Sequence, residues 1–495
     1  MTRTLQWMSP LLAALLLSGC ASFSADGGFG PTADAARERL GKDAVWARSE
    51  QDRAMVAQRV DELLAVPLDA DAAVQVALLN SPALQADFAA LGIAEADYVQ
   101  ATRLPNPGFT FARTTAGEDL KIERTVSIGL MRLITLPLAG PIEARRFAQT
   151  RLLVADRMLR HALDTRKAWI AAVAAQQSAR YAEQVRDAAQ TGALFSRELA
   201  RAGNLSALDH AREQAFYADA AATAARAREQ AIAARERLTR LMGLWGAAAQ
   251  YQLPERLPDL PAQRPQFEQL EPHAIAGRLD LQAGRLRLDG TARSLGLTRA
   301  TRFVSVLELG YEHTSETGQP RETGYEIGLE IPLFDWGGAR VARAEAIYMQ
   351  AASALADQAI AARSSVRERY ASIQIRHDVA RHYRDEVVPL RKRILDETLL
   401  RYNGMLASVF ELLVEARGQI GAVNGYLDAL RDYWQAQADL QAALGGALPA
   451  QQAAPPQPSL PASGPADVPA NATTTAPADA PAAAPAAAPH SHQGH

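Results

Sequence analysis

The chain has 495 residues, 52 basic and 55 acidic side chains and a formal charge of −3. That balance excludes the basic stripe of a nucleic-acid binder, and the single cysteine excludes an intramolecular disulfide. Aromatic residues make up only 6% and alanine fills long stretches, a composition suited to long, closely packed helices rather than one large globular core.

The N-terminus carries Arg3 and then the apolar run Leu11-Leu12-Ala13-Ala14-Leu15-Leu16-Leu17. The run is shorter than the roughly 20 residues that span a bilayer as a helix, and it fits the apolar region of a signal peptide. It leads into Leu17-Ser18-Gly19-Cys20, which resembles a bacterial lipobox. The resemblance implies cleavage before Cys20, lipid on its sulfur and acylation of the new amino terminus. Two or more acyl chains anchor stably where one does not. Ala21 and Ser22 follow, with no aspartate to suggest inner-membrane retention, so the outer membrane is the expected setting. Residues 1–19 are thus read as the signal peptide and 20–66 as a lipidated N-terminal segment. No other segment can cross a membrane as a helix. Any crossing must use strands in a closed barrel, because lipid cannot satisfy open backbone groups.

Internal repetition organises the rest. Leu84-Gln85-Ala86 recurs as Leu281-Gln282-Ala283, and Leu136-Pro137-Leu138 recurs as Ile331-Pro332-Leu333. Arg201-Ala202-Gly203-Asn204-Leu205-Ser206 recurs near Arg401-Tyr402-Asn403-Gly404-Met405-Leu406-Ala407-Ser408. The order is kept, so residues 67–260 and 261–448 are read as two copies of one unit. Leu253-Pro254, Leu257-Pro258 and Leu260-Pro261 form the linker between them.

Each copy reads helix, strand, strand, long helix, turn, long helix. In the first, Leu152, Leu159, Leu163, Ile170 and Val173 recur at helical spacing. They predict a helix from Pro141 to Arg201, about 90 Å long at 1.5 Å per residue. The second copy predicts a helix from Ala339 to Tyr402 with a kink at Pro389. After Gly404, Leu413, Ala416, Ile420, Val423, Leu427, Leu430 and Trp434 alternate in threes and fours, as in a coiled coil. From Pro449 to His495 the chain is rich in Pro and Ala and cannot bury a core, so this tail is expected to be disordered.

The strands carry the sharpest pattern. From Gly324 to Leu333, Tyr325, Ile327, Leu329, Ile331 and Leu333 alternate with Glu326, Gly328 and Glu330. The strand before it, about Phe303 to His313, sets Leu307, Leu309 and Tyr311 against Glu308, Gly310 and Glu312. A polar loop, Thr314 to Thr323, joins them. The first copy offers Pro107 to Thr114, with Phe109 and Phe111, and Thr125 to Leu133, with Val126, Ile128 and Leu130. Its loop is about Thr115 to Lys121. Such lengths, about 9–11 residues, match tilted transmembrane strands. Four strands cannot close a barrel and an open edge in lipid is not viable, so several chains must share one. Glu308, Glu312, Glu326 and Glu330 would then face the lumen, either concentrating cations there or standing as ordinary solvated residues.

Tyr325-Glu326-Ile327-Gly328-Leu329-Glu330-Ile331-Pro332-Leu333-Phe334-Asp335, Arg401-Tyr402-Asn403-Gly404-Met405 and the order of lipobox, strand hairpins and helical hairpins resemble the TolC-type outer membrane efflux protein family. The likeness spans about residues 67–448. It implies a mostly α chain with a small β part, working as a homotrimer. Four strands from each of three chains would make one barrel above a helical periplasmic tunnel. It also implies hairpin tips that meet the adaptor protein of a tripartite pump and close the tunnel at rest. On this sequence the tips are Gly203, Asn204, Leu205, Ser206 and Gly404, Met405, Leu406, Ala407, Ser408. Asp209 and Glu411, just inside them, are candidates for a charged entrance. The adaptor and the inner-membrane transporter would be separate proteins.

No Walker-type phosphate loop, Ser-His-Asp set or Cys-His pair is present, so neither enzyme activity nor a cofactor is expected. His210 and Glu213 lie three apart without a third ligand and read as a solvated helix face. His490, His492 and His495 on the tail could bind copper, nickel or zinc weakly, or serve only as polar spacers. The expected function is passive exit for small molecules or metal ions through an outer-membrane channel. The alternatives are a lipid-anchored coiled-coil protein without a pore and a type I protein-secretion channel.

Overall fold

The computed structural model describes residues 22–304 and 306–448. Cys20, the signal peptide and the tail with His490, His492 and His495 lie outside these. Helices α1 (Gly30–Leu40), α2 (Glu50–Leu64), α3 (Ala70–Asn80) and α4 (Pro82–Thr102) lead into strands β1 (Gly108–Ala116) and β2 (Asp119–Gly129). Helices α5 (Leu130–Arg201) and α6 (Ala207–Met242) form the first long hairpin. The order then repeats: α7 (Leu270–Gly277), α8 (Leu279–Ala300), β3 (Leu307–Glu316), β4 (Glu322–Leu329), and a second hairpin of α9 (Gly338–His382), α10 (Val388–Asn403) and α11 (Val409–Ala443).

The four strands form one antiparallel sheet in the order β1-β2-β3-β4. The first hairpin is tighter than expected: β2 starts at Asp119, and Gly117 with φ 66° turns the chain between Ala116 and Asp119. A positive φ suits the turn of a two-residue hairpin, which glycine adopts without strain. The expected loop Thr115–Lys121 is thus mostly strand, because Leu120 and Ile122 already alternate with Lys121 and Glu123. The second loop likewise shrinks, with Thr314 pairing with Glu322. At the other end the strands stop sooner. β2 ends at Gly129 rather than Leu133, and β4 at Leu329 rather than Leu333.

Helix α5 starts at Leu130, eleven residues before the expected Pro141, and holds Pro137 and Pro141 inside it. At 72 residues it would be about 108 Å long. An internal proline removes one backbone hydrogen bond. Two prolines four apart place both defects on one face, so the remaining bonds carry the helix through. The equivalent segment of the second copy is not helical: a tight turn at Pro332 sets the Leu333 N–H against the Ile331 carbonyl at 2.9 Å. There Gly337, with φ 74°, starts α9, and a Cβ on it would lie 2.5 Å from the Arg302 carbonyl oxygen. A short π-helical turn, Tyr383–Val387, separates α9 from α10 directly before Pro389, where a kink is expected.

Two apolar clusters hold the helices. The larger joins Trp169 and Val173 of α5 to Leu238 and Met242 of α6, Ile373 of α9 and Tyr433 of α11. The Trp169 indole donates to the Leu68 carbonyl at 2.7 Å. The smaller packs Phe88 of α4 with Met158 and Leu159 of α5 and Ala36 of α1. The seam predicted on α11 is buried at Leu427 and Leu430 and half-buried at Leu413, Ala416, Ile420, Val423 and Trp434. The Leu-Pro stretch between the repeats is a packed strap rather than a loose linker. Leu253, Leu257 and Leu260 are buried. Its carbonyls accept from side chains of the second hairpin: Pro258 from Trp434 at 3.0 Å, Pro261 from His377 at 2.9 Å and Leu260 from Arg384 at 3.2 Å.

Candidate channel wall and hairpin tips

The register divides the sheet into two chemically distinct faces. Phe109, Val126, Tyr311 and Tyr325 stand in one row across the four strands, with Ile128, Leu309 and Ile327 in the next row and Leu307 with Leu329 beyond. These side chains are open to solvent: Tyr325 is 83% and Ile327 70% exposed. The Tyr311 and Tyr325 rings lie 5.6 Å apart. The apolar belt continues past the strands at Leu333, Phe334 and Trp336, with Phe334 99% exposed. A soluble surface does not tolerate an apolar patch of this kind without a partner.

The opposite face is polar and small. Glu308 pairs with Gly328, Gly310 with Glu326 and Glu312 with Gly324, while Thr125 and Ser127 continue the rows onto β2. Three of the four glutamates singled out from the sequence share this face on β3 and β4. Glu330 lies one residue past β4, its backbone N–H donating to the Val306 carbonyl at 3.4 Å. Glu308, Glu312 and Glu326 each face a glycine across the β3–β4 ladder, so these carboxylates have room without direct opposition. β1 and β4 have no outer strand partner among the described residues.

The hairpin tips are built by matched caps. Ser206 and Ser408 are the N-caps of α6 and α11, accepting from Asp209 N–H at 3.1 Å and Glu411 N–H at 3.2 Å. The candidate entrance acids are engaged in these caps: Ser206 donates to Asp209 at 2.7 Å, and Glu411 accepts from the Ser408 N–H at 3.3 Å. In the first turn Gly203 takes the left-handed conformation, φ 78°. In the second that role falls to Met405, φ 58°, and not to Gly404, φ −83°. Both turns close with a 6→1 bond, Asn204 to Leu199 and Leu406 to Arg401. The structural equivalent of Gly203 is therefore Met405. This strained position holds an apolar side chain almost wholly in water, 94% exposed, beside Leu406 at 82%.

His210 and Glu213 do not lie on a solvated face. The Ser196 hydroxyl is 3.0 Å from His210 Nδ1, and Glu213 is 94% buried, with 6% exposure. Sequence reading also missed a hydrogen bond near the N-terminus: the Ser24 hydroxyl and backbone N–H donate to the buried Glu95 of α4 at 2.5 and 2.7 Å. Among the described residues no group of three or more His, Cys, Asp or Glu could hold a metal ion. No single described helix is long and apolar enough to cross a membrane. Helices α3 and α4 pass that test only as a bent pair, and their apolar residues Val74, Leu78, Leu84 and Phe88 are in the core.

The chain pairs a four-stranded sheet, apolar on one face and polar on the other, with two long helical hairpins. Residues 270–446 match the family model described as outer membrane efflux protein. Solved structures share the fold. The CmeC outer membrane channel of Campylobacter jejuni aligns with a TM-score of 0.65 at 16% identity, over 79% of this chain and 86% of that one. The open state of the MtrE outer membrane channel of Neisseria gonorrhoeae aligns at 0.61 and 18% identity, over 78% and 89%. The outer membrane protein VceC of Vibrio cholerae aligns at 0.62 and 16%, over 81% and 98%. No curated protein matches the sequence.

Proposed function

We propose that three copies of this chain form the outer-membrane duct of a tripartite efflux assembly, giving passive exit to cargo delivered by an inner-membrane transporter and a periplasmic adaptor. The observation that carries this is the two-faced sheet with both outer edges open. One face suits lipid, the other water, and only closure with further strands satisfies β1 and β4 in a bilayer. Glu308, Glu312 and Glu326 then line the lumen and Glu330 its mouth, and their charge raises the local cation concentration. The exposed Met405 and Leu406, with Leu205 and the capped turns at Ser206 and Ser408, offer the adaptor an apolar docking tip.

Lipid on Cys20 fits the same arrangement. Ser24, four residues on, is pinned to Glu95, and α4 runs from there to the foot of β1. Four residues of extended chain reach at most about 14 Å, so the anchor stays near the barrel. A Cys20→Ser variant would lose the lipid while still folding. The test of the main reading is native mass in detergent together with planar-bilayer conductance. A trimer with cation-preferring openings is expected; a monomer without conductance would defeat the proposal and favour a pore-free anchored protein.

A further inference from the structure

Between the two hairpins, just above the tips, lies a cavity of about 540 Å³. Its walls come from α5, α6, α10 and α11, and they are mostly apolar: Phe195, Leu199, Tyr402, Phe410 and Leu413. The polar lining groups Ser196, Asp209, Arg212 and Ser408 are held in hydrogen bonds of their own, which leaves Glu213. It is 94% buried, lines the cavity, and no hydrogen bond or ion pair reaches its carboxylate among the described residues.

The neighbouring charges are committed elsewhere. Arg212 donates to Asp209 at 3.1 Å and lies over the Phe410 ring at 4.7 Å. Arg417 lies over the Phe216 ring at 4.4 Å. His210 faces Ser196. Gly192 of α5 leaves room for the carboxylate: a Cβ there would sit 3.4 Å from Glu213 Oε2. Burial pushes the Glu213 carboxyl above its ordinary range, and Arg417 offsets this only in part. A buried, unpaired carboxylate is costly, and a pocket of a few hundred Å³ with mostly apolar walls and a few fixed polar groups has the form of a small-molecule site.

We propose that this cleft binds a lipophilic organic cation, one positive charge on an aromatic body, with the charge against Glu213 and the body against Phe195, Leu199, Tyr402 and Phe410. An anion would meet the carboxylate, and a small inorganic cation would leave the apolar walls empty. The Tyr402 ring adds attraction for a cation. Because the walls come from both hairpins, such a ligand bridges them and opposes their separation at the tips. Binding is independent of what the pore carries.

The test is equilibrium dialysis of the full chain, purified in detergent, against tetraphenylphosphonium, with the similarly shaped anion tetraphenylborate as control and assembly checked by native mass. Saturable binding of one phosphonium per chain is expected, tighter than tetraphenylborate by at least tenfold. Glu213→Gln should weaken phosphonium binding by at least tenfold, and Leu199→Trp, which fills the cleft and keeps the carboxylate, should abolish it. Wild-type affinity should also fall as the pH drops and Glu213 protonates. Equal binding of the two ions, or unchanged phosphonium affinity in either assembled variant, would overturn the proposal.

Discussion

Placing a lysine at Ile327 and, separately, at its neighbour Glu326 reads out which face of β4 meets lipid. Ile327 lies in the middle apolar row, with Leu309 and Ile128 beside it. A lysine near the midplane of the lipid face of a barrel costs about 2–4 kcal/mol. In the proposed trimer three lysines would share one barrel, about 6–12 kcal/mol in all, comparable with the about 5–15 kcal/mol that holds an ordinary domain together. Ile327→Lys should therefore remove most of the trimer recovered from outer membranes, or shift its urea midpoint far down. Glu326→Lys adds the same side chain one residue away, on the face with Gly310 and Glu308, where water solvates it. Its cost should stay below about 1 kcal/mol, as for ordinary surface substitutions. The assay is trimer yield on unheated gels together with urea titration in vesicles. Equal loss in both variants, or greater loss from Glu326→Lys, would refute the assignment of the two faces.

Gly243→Ala should destabilise the chain by about 2–5 kcal/mol, the sum of a left-handed backbone penalty and overpacking, read as a lower denaturation midpoint. Gly243 has φ 67°, and a Cβ there would lie 2.7 Å from the Asn80 carbonyl oxygen. Ser206→Ala and Ser408→Ala should each cost about 1 kcal/mol by removing an N-cap, with faster hydrogen exchange confined to the tips. Glu213→Gln concerns pH. Burial raises this carboxyl, so the stability its neutral form confers is present at acid pH and lost as pH rises through the folded-state value. The glutamine variant should therefore show slower tip exchange than the wild type at neutral pH, the gap closing on acidification; a gap that widens on acidification would contradict this. Neutralising Glu308, Glu312 and Glu326 together should reduce cation preference in bilayer conductance without reducing trimer yield.

The alternation around Tyr325 and Tyr311 was legible because a period of two survives wherever one face meets an apolar phase. The upper half of β2 was not, since Asp119, Lys121, Glu123 and Arg124 crowd Leu120 and Ile122 and mimic a loop. Pro141 reads as a helix start by its locked φ, yet the chain is already helical from Leu130. Local preference does not report what a continuous backbone tolerates. The second tip misled for a related reason: Gly404 offers the freedom a turn usually takes, but the 6→1 bond of Leu406 to Arg401 sets the frame one residue later, on Met405. The Glu213 cleft needs residues from four helices, from Gly192 to Leu413, and no single stretch of sequence contains it. The Leu-Pro strap shows the same limit. Its composition marks a connection, and only Trp434, His377 and Arg384, far along the chain, make it a clasp.

That clasp turns the second hairpin into a lever. Its grip at His377 and Trp434 holds the C-terminal parts of α9 and α11, with the capped turn at Ser408 at the far end of the arm. Twenty-six helical residues from Ser408 to Trp434 give an arm of about 39 Å. A rotation of about 10° at the clasp then sweeps the tip through about 7 Å, the width of a small solute. In the proposed trimer, the pore would thus open and close at its tips while the strap and the buried core scarcely move.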